Sequence, residues 1–166
     1  EHASRKKNIC TSRSFGKKVT HIEELKESVS NYASNCAYKL RKQKSCATRI
    51  SVFIHTNPFR PTDKQYKGFT SFVLGSPTND SMEIIRFALK GLEKIYRPGY
   101  TYKKAGIIVG DIVPQQQQQL SLFDSINRQK QPSVMSALDK INNRMGRDKV
   151  RLAVQGQARQ WKMKRE

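Results

Sequence analysis

Apolar residues in the first two thirds of the chain follow two periodicities, one typical of strands and one typical of helices. Together they predict six secondary-structure elements. Short β-type runs predict strands at residues 9–15, 48–56, 66–74 and 102–113. Apolar residues spaced three and four positions apart predict one helix after the first strand and another after the third strand. The predicted order is therefore βαββαβ.

The first helix has the clearer periodicity of the two. Gly16 is expected to end the strand before it, and Thr20 to open the helix, because Glu23 three positions later completes a capping-box pattern. We expect the helix to run to about Arg41. The residues that share its apolar stripe are Ile22, Leu25, Val29, Tyr32, Cys36 and Leu40.

The second helix has clear start and stop signals. Asp80, followed by Glu83, marks its beginning, and Pro98 with its neighbours stops it. Ser76, Pro77 and Asn79 are expected to close the strand before it. The apolar residues on one side of this helix are Ile84, Ala88, Leu92 and Ile95.

The second strand predicts which surface of the sheet stays open. If the four strands form one antiparallel sheet and both helices cover the same face, the opposite face remains free for a partner. Ile50, Val52 and Ile54 are expected to point towards the helices. The residues that alternate with them, and that we expect on the open face, are Arg49, Ser51, Phe53 and His55.

Composition changes after residue 113, which places a domain boundary near Pro114. Residues 114–132 are polar and rich in glutamine, so we expect an exposed linker. In residues 133–166, Ser133 is expected to cap a helix that Gly146 ends. The stripe predicted for that helix is Val134, Leu138, Ile141 and Met145, and the alternating residues after it are Val150, Leu152 and Val154. This basic tail, with Trp161, suits either packing against the first domain or docking of another protein.

Charge narrows the class of partner. The chain carries 32 Lys and Arg against 13 Asp and Glu, a net charge of +19 at pH 7, which indicates a polyanionic partner. Nucleic acid fits better than a membrane, because no run approaches the roughly 20 apolar residues of a spanning helix. No secretory signal opens the chain.

Residues able to bind metal or drive catalysis are sparse. The three cysteines are widely spaced and fit neither a disulfide framework nor a zinc knuckle, so they indicate a reducing cytoplasm. The histidines have no cysteine or carboxylate nearby at the spacing of metal ligands. Two-metal chemistry needs clustered carboxylates. The acidic residues instead have the positions of helix starts and caps, and no phosphate loop or nucleophile pair is present. We expect no metal, no cofactor and no turnover in this chain.

Basic residues cluster around the first predicted strand and at the start of the last one. Such cations, with Ser12 and Ser14 and exposed strand amides between them, can hold phosphates without reading bases. A merely solvated basic face is the alternative. The basic residues concerned are Arg5, Lys6, Lys7, Arg13, Lys17, Lys18, Lys103 and Lys104.

A rival interpretation comes from the third strand. Lys67, Gly68, Phe69 and then Phe72 resemble the aromatic strand motif of an RNA-recognition module that binds single-stranded RNA. The spacing after Phe69 is one residue too long for that motif. We therefore expect Phe69 and Phe72 to pack inside the domain.

The linker contains an apolar peptide after its glutamines. Two leucines and a phenylalanine can fill a hydrophobic pocket on a partner, while a preceding glutamine supplies amide hydrogen bonds. An apolar turn that folds back onto its own domain is the alternative. Gln119, Leu120, Leu122 and Phe123 resemble the sliding-clamp binding motif of bacterial polymerases and repair proteins.

The rest of the chain resembles the UmuC-type lesion-bypass polymerases of the Y family, which include the UmuC subunit of DNA polymerase V. Ser12 to Gly16 (SRSFG) is similar to the motif that opens their little-finger domain, and Tyr102 to Gly106 (YKKAG) to its last strand. The resemblance covers nearly the whole chain, including the order of domain, linker, clamp motif and basic tail.

This resemblance implies an α+β little-finger domain at residues 5–113, a linker at 114–132 with a clamp motif at 119–123, and a UmuC-type tail at 133–166. It implies an error-prone polymerase of SOS mutagenesis and DNA repair in the bacterial cytoplasm, whose catalytic carboxylates and Mg²⁺ lie outside this chain. UmuD-type and RecA-type proteins are further possible partners, and a clamp-bound adapter without DNA contact is an alternative. The residues expected to grip template-primer duplex are Arg13, Ser14, Arg49, Lys103 and Lys104.

Overall fold

The computed structural model describes residues 6–117 and 131–156. Four strands form one antiparallel sheet, and two helices cover one of its faces. The predicted α+β class and the βαββαβ order are confirmed. The strands are β1 (Ile9–Val19), β2 (Ser45–Thr56), β3 (Lys67–Thr78) and β4 (Tyr102–Pro114); the helices are α1 (Ile22–Lys42), α2 (Ser81–Ile95) and, in the tail, α3 (Gln131–Met145). Short 3-10 helices lie at Gln115–Gln117 and Ala153–Gln155.

The sheet order is β1-β4-β2-β3, so the last strand lies between the first and the second. This arrangement leaves β1 and β3 at the edges. The core lies between the sheet and the helices α1 and α2, and the alternation predicted for β2 is confirmed, because Ile50, Val52 and Ile54 are fully buried. From the helices, Leu25 and Leu92 are equally buried.

The start of α2 agrees with its sequence signal. The carboxylate of Asp80 accepts a hydrogen bond from the backbone N–H of Glu83 at 2.9 Å, which satisfies one of the free donors of the first turn. The helix ends at Ile95, before Pro98. Its predicted apolar side is buried against the sheet.

The predicted boundary between β1 and α1 is wrong in two respects. β1 continues past Gly16 to Val19, because an irregularity in pairing between Ser14 and Val19 lets the strand resume opposite Tyr102. The helix begins at Ile22 with His21 at the N-cap, and His21 makes no side-chain capping bond. The capping box at Thr20 is therefore absent.

The third strand is also longer than predicted. β3 runs on to Thr78, because a second irregularity between Ala47 and Arg49 brings Thr78 opposite Ala47. Ser76 and Thr78 are buried within it. Turn-type residues here lie inside an edge strand, where proline is tolerated.

The described part of the tail packs on α1, and polar contacts determine its orientation. Asp139 of α3 forms two hydrogen bonds with the guanidinium of Arg41, at 2.7 and 2.8 Å. Tyr38 donates to Asn143 at 2.9 Å. Further along, Asn31 of α1 donates to the carbonyl of the buried Gln155 at 2.6 Å.

The predicted apolar stripe of α3 lies mostly in solvent. Val134, Ile141 and Met145 are exposed, whereas Met135 is buried. The contact between Asp139 and Arg41 turns the helix so that a different side meets α1. The helix also starts at Gln131, before the expected cap at Ser133, although Gly146 follows its end as predicted.

The alternation after Gly146 does not form a strand. Val150 bonds through both its backbone N–H and its carbonyl to the side chain of Asn142, at 2.8 and 2.9 Å. A 3-10 turn follows it. These side-chain bonds occupy both backbone groups of Val150 that a strand would pair with a neighbour.

Candidate nucleic-acid interface

The sheet face opposite the helices, which we call the open face, carries a row of polar and basic residues across all four strands. Ser14 lies opposite Lys104, Lys104 opposite His55, and His55 opposite Lys67. We call these four residues the basic row. Neighbouring strands lie about 4.8 Å apart, so the row forms a short cationic line across the sheet.

The imidazole of His55 lies between two cations in the basic row. Burial lowers the pKa of His55 below its ordinary value, and the charges of Lys67 and Lys104 lower it further. Both effects favour the neutral imidazole. The charge of the row comes from its two lysines.

A second row runs parallel to the first, and its two aromatic residues lie on β2 and β3. It consists of Ser12, Gly106, Phe53 and Phe69, one from each strand, and we call it the aromatic row. The ring of Phe53 lies 5.0 Å from that of His55, measured between centroids. Phe69 is 63% exposed, so the prediction that it packs inside the domain is wrong. Phe72 does pack inside the domain, with its ring centroid 6.0 Å from that of Phe87 on α2.

Towards the other end of the sheet the open face becomes less basic. Ser51 donates to Ser71 across the strands at 3.0 Å. Arg49 lies opposite Val73 and forms an ion pair with Asp111 at 2.8 Å. Both partners of that pair are about half exposed, and such pairs contribute little, so phosphate can displace the carboxylate.

Three of the five residues predicted to contact DNA lie on the open face. Ser14 and Lys104 lie opposite each other in the basic row, whereas Arg49 lies towards the other end of the sheet. Arg13 alternates along β1 with Ser12 and Ser14, so its side chain leaves the sheet on the same face as those of Thr11 and Phe15, which point towards the helices.

The remaining contacts of Arg13 and Lys103 also point away from the open face. Burial raises the pKa of the Tyr32 hydroxyl, and the nearby cation of Arg13 opposes that shift. The ammonium of Lys103 donates to the carbonyl of Phe15 at 2.8 Å. The assignment of DNA contact to these five residues stays a prediction.

The sequence reasoning assigns no binding role to two residues of this surface. Lys67 enters it only as part of an aromatic motif, and Phe53 only as a residue expected on the open face. Their placement depends on strand register, which pairs Lys67 with His55 and Phe53 with Phe69. The phase of β3, with Thr70 and Leu74 buried, was the available signal that Phe69 faces outward.

Other predicted features lie partly or wholly beyond the described residues. The clamp motif, at Gln119, Leu120, Leu122 and Phe123, lies outside them, as does Trp161. Within residues 6–117 and 131–156, no group of three or more metal-ligating side chains occurs. Among the helices found there, none has the length and apolar character needed to cross a bilayer.

Comparison with known proteins identifies two family matches. Residues 6–122 match the impB/mucB/samB family C-terminal domain. Residues 132–166 match a domain of unknown function. The first match covers the whole sheet and the two helices that pack on it.

Curated relatives match over nearly the entire chain. Protein UmuC of Salmonella typhimurium strain LT2 is 41% identical over 100% of this chain and 40% of its own length. Protein SamB of Salmonella typhimurium is 38% identical over 97% of this chain and 38% of its own length. Protein MucB of Escherichia coli is 35% identical over 100% of this chain and 39% of its own length. The chain thus spans about 40% of the length of these relatives.

A solved structure with a similar chain is described as a complex of beta-clamp processivity factor and the little finger domain of PolIV. It is 18% identical, with a TM-score of 0.47, over 70% of this chain and 99% of that one.

Proposed function

The chain belongs to the impB/mucB/samB family, and on that premise we propose that it is the DNA-gripping and clamp-docking C-terminal part of a UmuC-type lesion-bypass DNA polymerase. In this proposal residues 5–113 hold template-primer duplex and residues 119–123, within the linker 114–132, bind the sliding clamp. Residues 133–166 form the tail. The parent protein acts in SOS mutagenesis and DNA repair in the bacterial cytoplasm.

The observation that carries the proposal is the basic row on the sheet face opposite α1 and α2, which none of the described helices covers. Lys67 and Lys104 supply two cations across the strands, and Ser14 adds a hydroxyl donor. A row of this kind contacts backbone phosphates and takes no information from base edges. It suits a polymerase domain, which has to hold duplex of any sequence.

The RNA-recognition alternative loses its main support. Residues three apart on a strand point to opposite faces, and here Phe69 faces outward while Phe72 packs against Phe87. The two aromatic rings therefore cannot stack bases on one surface. Of that motif, Lys67 and the outward Phe69, which lies opposite Phe53, remain on the open face.

Several acidic side chains have structural roles in this chain. Asp80 caps α2, Asp139 pairs with Arg41, and Asp111 pairs with Arg49. Lys17 pairs with Glu24. We therefore assign the polymerase carboxylates and their Mg²⁺ to the rest of the parent protein, and we assign no catalytic step to this chain.

A DNA-binding domain and a clamp-binding motif on one chain reinforce each other, because a weak contact with duplex and a weak contact with the clamp are then coupled. A peptide tethered to a DNA-binding domain raises its own effective concentration at a clamp that encircles the same duplex. The alternative, a clamp-bound adapter that never touches DNA, predicts clamp binding without duplex binding.

A titration with labelled clamp, with and without duplex, tests the proposal. Leu122→Ala with Phe123→Ala should abolish clamp binding while duplex affinity and fold are retained, because only the apolar anchors are lost. Val134→Ala with Met145→Ala, which removes exposed apolar groups of α3, is the matched control and should bind clamp normally. Unchanged clamp affinity of the first double variant would refute the motif assignment, and clamp binding without duplex binding would establish the adapter.

A further inference from the structure

The loop between β2 and β3, residues 57–66, is an ordered structure that the proposed grip leaves unused. Arg60 N–H donates to the carbonyl of Asn57 at 3.2 Å, and Asp63 N–H to the carbonyl of Arg60 at 3.1 Å. Two consecutive turns therefore form the loop. Phe59 N–H also donates to the side chain of Asn57 at 3.0 Å.

The side chain of Gln65 stabilises both turns by hydrogen bonds, and we call residues 57–66 the braced loop. The amide nitrogen of Gln65 lies 2.9, 3.0 and 3.2 Å from the carbonyl oxygens of Asn57, Arg60 and Asp63. Its amide oxygen accepts from the hydroxyl of Thr56 at 3.0 Å. The prolines of the loop restrict its backbone further. Binding by such a preorganised loop costs little conformational entropy.

The braced loop holds an aromatic side chain out in solvent. Phe59 is 89% exposed, more than the other exposed large apolar side chains among the described residues. Its neighbours Arg60 and Lys64 are also exposed. An exposed aromatic ring on a hydrogen-bonded loop that also carries two exposed cations suits a nucleotide, because the ring can stack on the base and the cations can contact phosphates.

The surroundings of the loop favour nucleic acid over an apolar protein pocket. Lys67 of the basic row follows the loop directly. Arg97 lies over the ring of Tyr66 at 4.8 Å, and Lys103 and Lys104 begin β4 at the same end of the sheet. A partner at this end has to offset several positive charges, and phosphates do so.

We propose that the β2–β3 loop binds unpaired nucleotides where the strand leaves the duplex, with the ring of Phe59 stacked on a base and Arg60 and Lys64 on the flanking phosphates. Bases inside a duplex are covered by their neighbours, so the ring can reach a base face only where the strand is single. This inference rests on the proposed function, because the duplex on the open face brings the unpaired strand to the loop.

The test compares a blunt duplex with the same duplex carrying a single-stranded extension, using the full chain. The extension contains 2-aminopurine, whose fluorescence reports stacking. Wild type should bind the extended duplex more tightly than the blunt one. Phe59→Ala should lose at least about fivefold in affinity for the extended duplex, the lower end of what removing a stacked aromatic costs. It should bind the blunt duplex as wild type does.

Two variants serve as controls. Phe59→Tyr should retain both affinity and fluorescence change, because it keeps a stacking ring. Met82→Ala removes an exposed apolar side chain at the start of α2 and should behave as wild type. Equal affinities of wild type and Phe59→Ala for the extended duplex, or equal losses on both duplexes, would overturn the loop assignment. Failure of wild type to bind the blunt duplex would instead overturn the proposed grip.

Discussion

The ring of Phe53 lies across Gly106 on the neighbouring strand. A Cβ atom at residue 106 would lie 2.3 Å from Cζ of Phe53 and 2.6 Å from Cβ of Ser12, distances shorter than van der Waals contact. Only glycine therefore leaves room for the ring between β2 and β1. The absence of a side chain at residue 106 therefore lets Phe53 lie over β4 on the open face.

Gly106→Ala should destabilise the domain by about 1–3 kcal/mol, because the added methyl group displaces the Phe53 ring or separates the strands. Urea unfolding followed by circular dichroism measures the change. Gly75→Ala, at a glycine of β3 with open space around it, is the control and should be close to neutral. A Gly106→Ala protein as stable as wild type would show that the ring moves away freely.

Asp139→Ala should release the tail from α1 while leaving the sheet domain folded. The carboxylate is mostly buried in its two-point contact with Arg41. Among the described residues, its loss leaves that guanidinium with the carbonyl of Asn79 and the hydroxyl of Ser81. Loss of hydrogen bonds to a charged group costs about 1–3 kcal/mol. Hydrogen exchange should become faster in α3 alone.

Glu93→Ala, which removes the more exposed contact with Lys26 at 3.3 Å, is the control and should leave exchange in α3 unchanged. Protection of α3 that survives Asp139→Ala would show that the tail is held by its other contacts.

His55 should make duplex binding depend on pH. Burial and the two lysines keep its folded-state pKa below the ordinary value, and a phosphate on the basic row would raise that pKa, so binding takes up a proton. Affinity should therefore rise as the pH falls from about 7 to about 5. His55→Gln should remove this rise, whereas His21→Gln, at the exposed N-cap of α1, should retain it.

The lowered pKa of His55 also determines the direction in which the free energy of unfolding changes with pH. Because the unfolded chain takes up the proton at a higher pH than the folded domain, the free energy of unfolding should fall as the pH drops through the ordinary histidine pKa towards the lowered one. Thermal unfolding of wild type and His55→Gln across this range checks the sign. An unfolding free energy that rises on acidification in wild type alone would contradict the lowered pKa.

Local patterns predicted the sheet domain well. Asp80 with Glu83 marked the start of α2, and the alternation of Ile50, Val52 and Ile54 identified the buried face of β2. These signals are short-range, since a cap and a strand phase depend only on nearby residues. The free face of the sheet followed from them.

The errors occurred where distant contacts decide the outcome. Gly16 and Ser76 have the composition of strand ends, yet pairing with Tyr102 and Ala47 carries both strands beyond those residues. In α3 the apolar stripe faces away from α1, because Asp139 meets Arg41 from the other side. Periodicity cannot reveal such partners, and the register that unites the basic row is equally invisible to it.

The most direct test of the account is the salt dependence of duplex affinity for wild type and for Lys67→Ala with Lys104→Ala. The matched control, Arg86→Ala with Lys90→Ala, removes two cations that lie beside Phe87 on α2. We predict a steep linear fall of log affinity with log salt in wild type and in the control, and a slope smaller by about two in the basic-row variant. An affinity insensitive to salt, or equal slopes in all three proteins, would contradict the claim that the open face grips DNA.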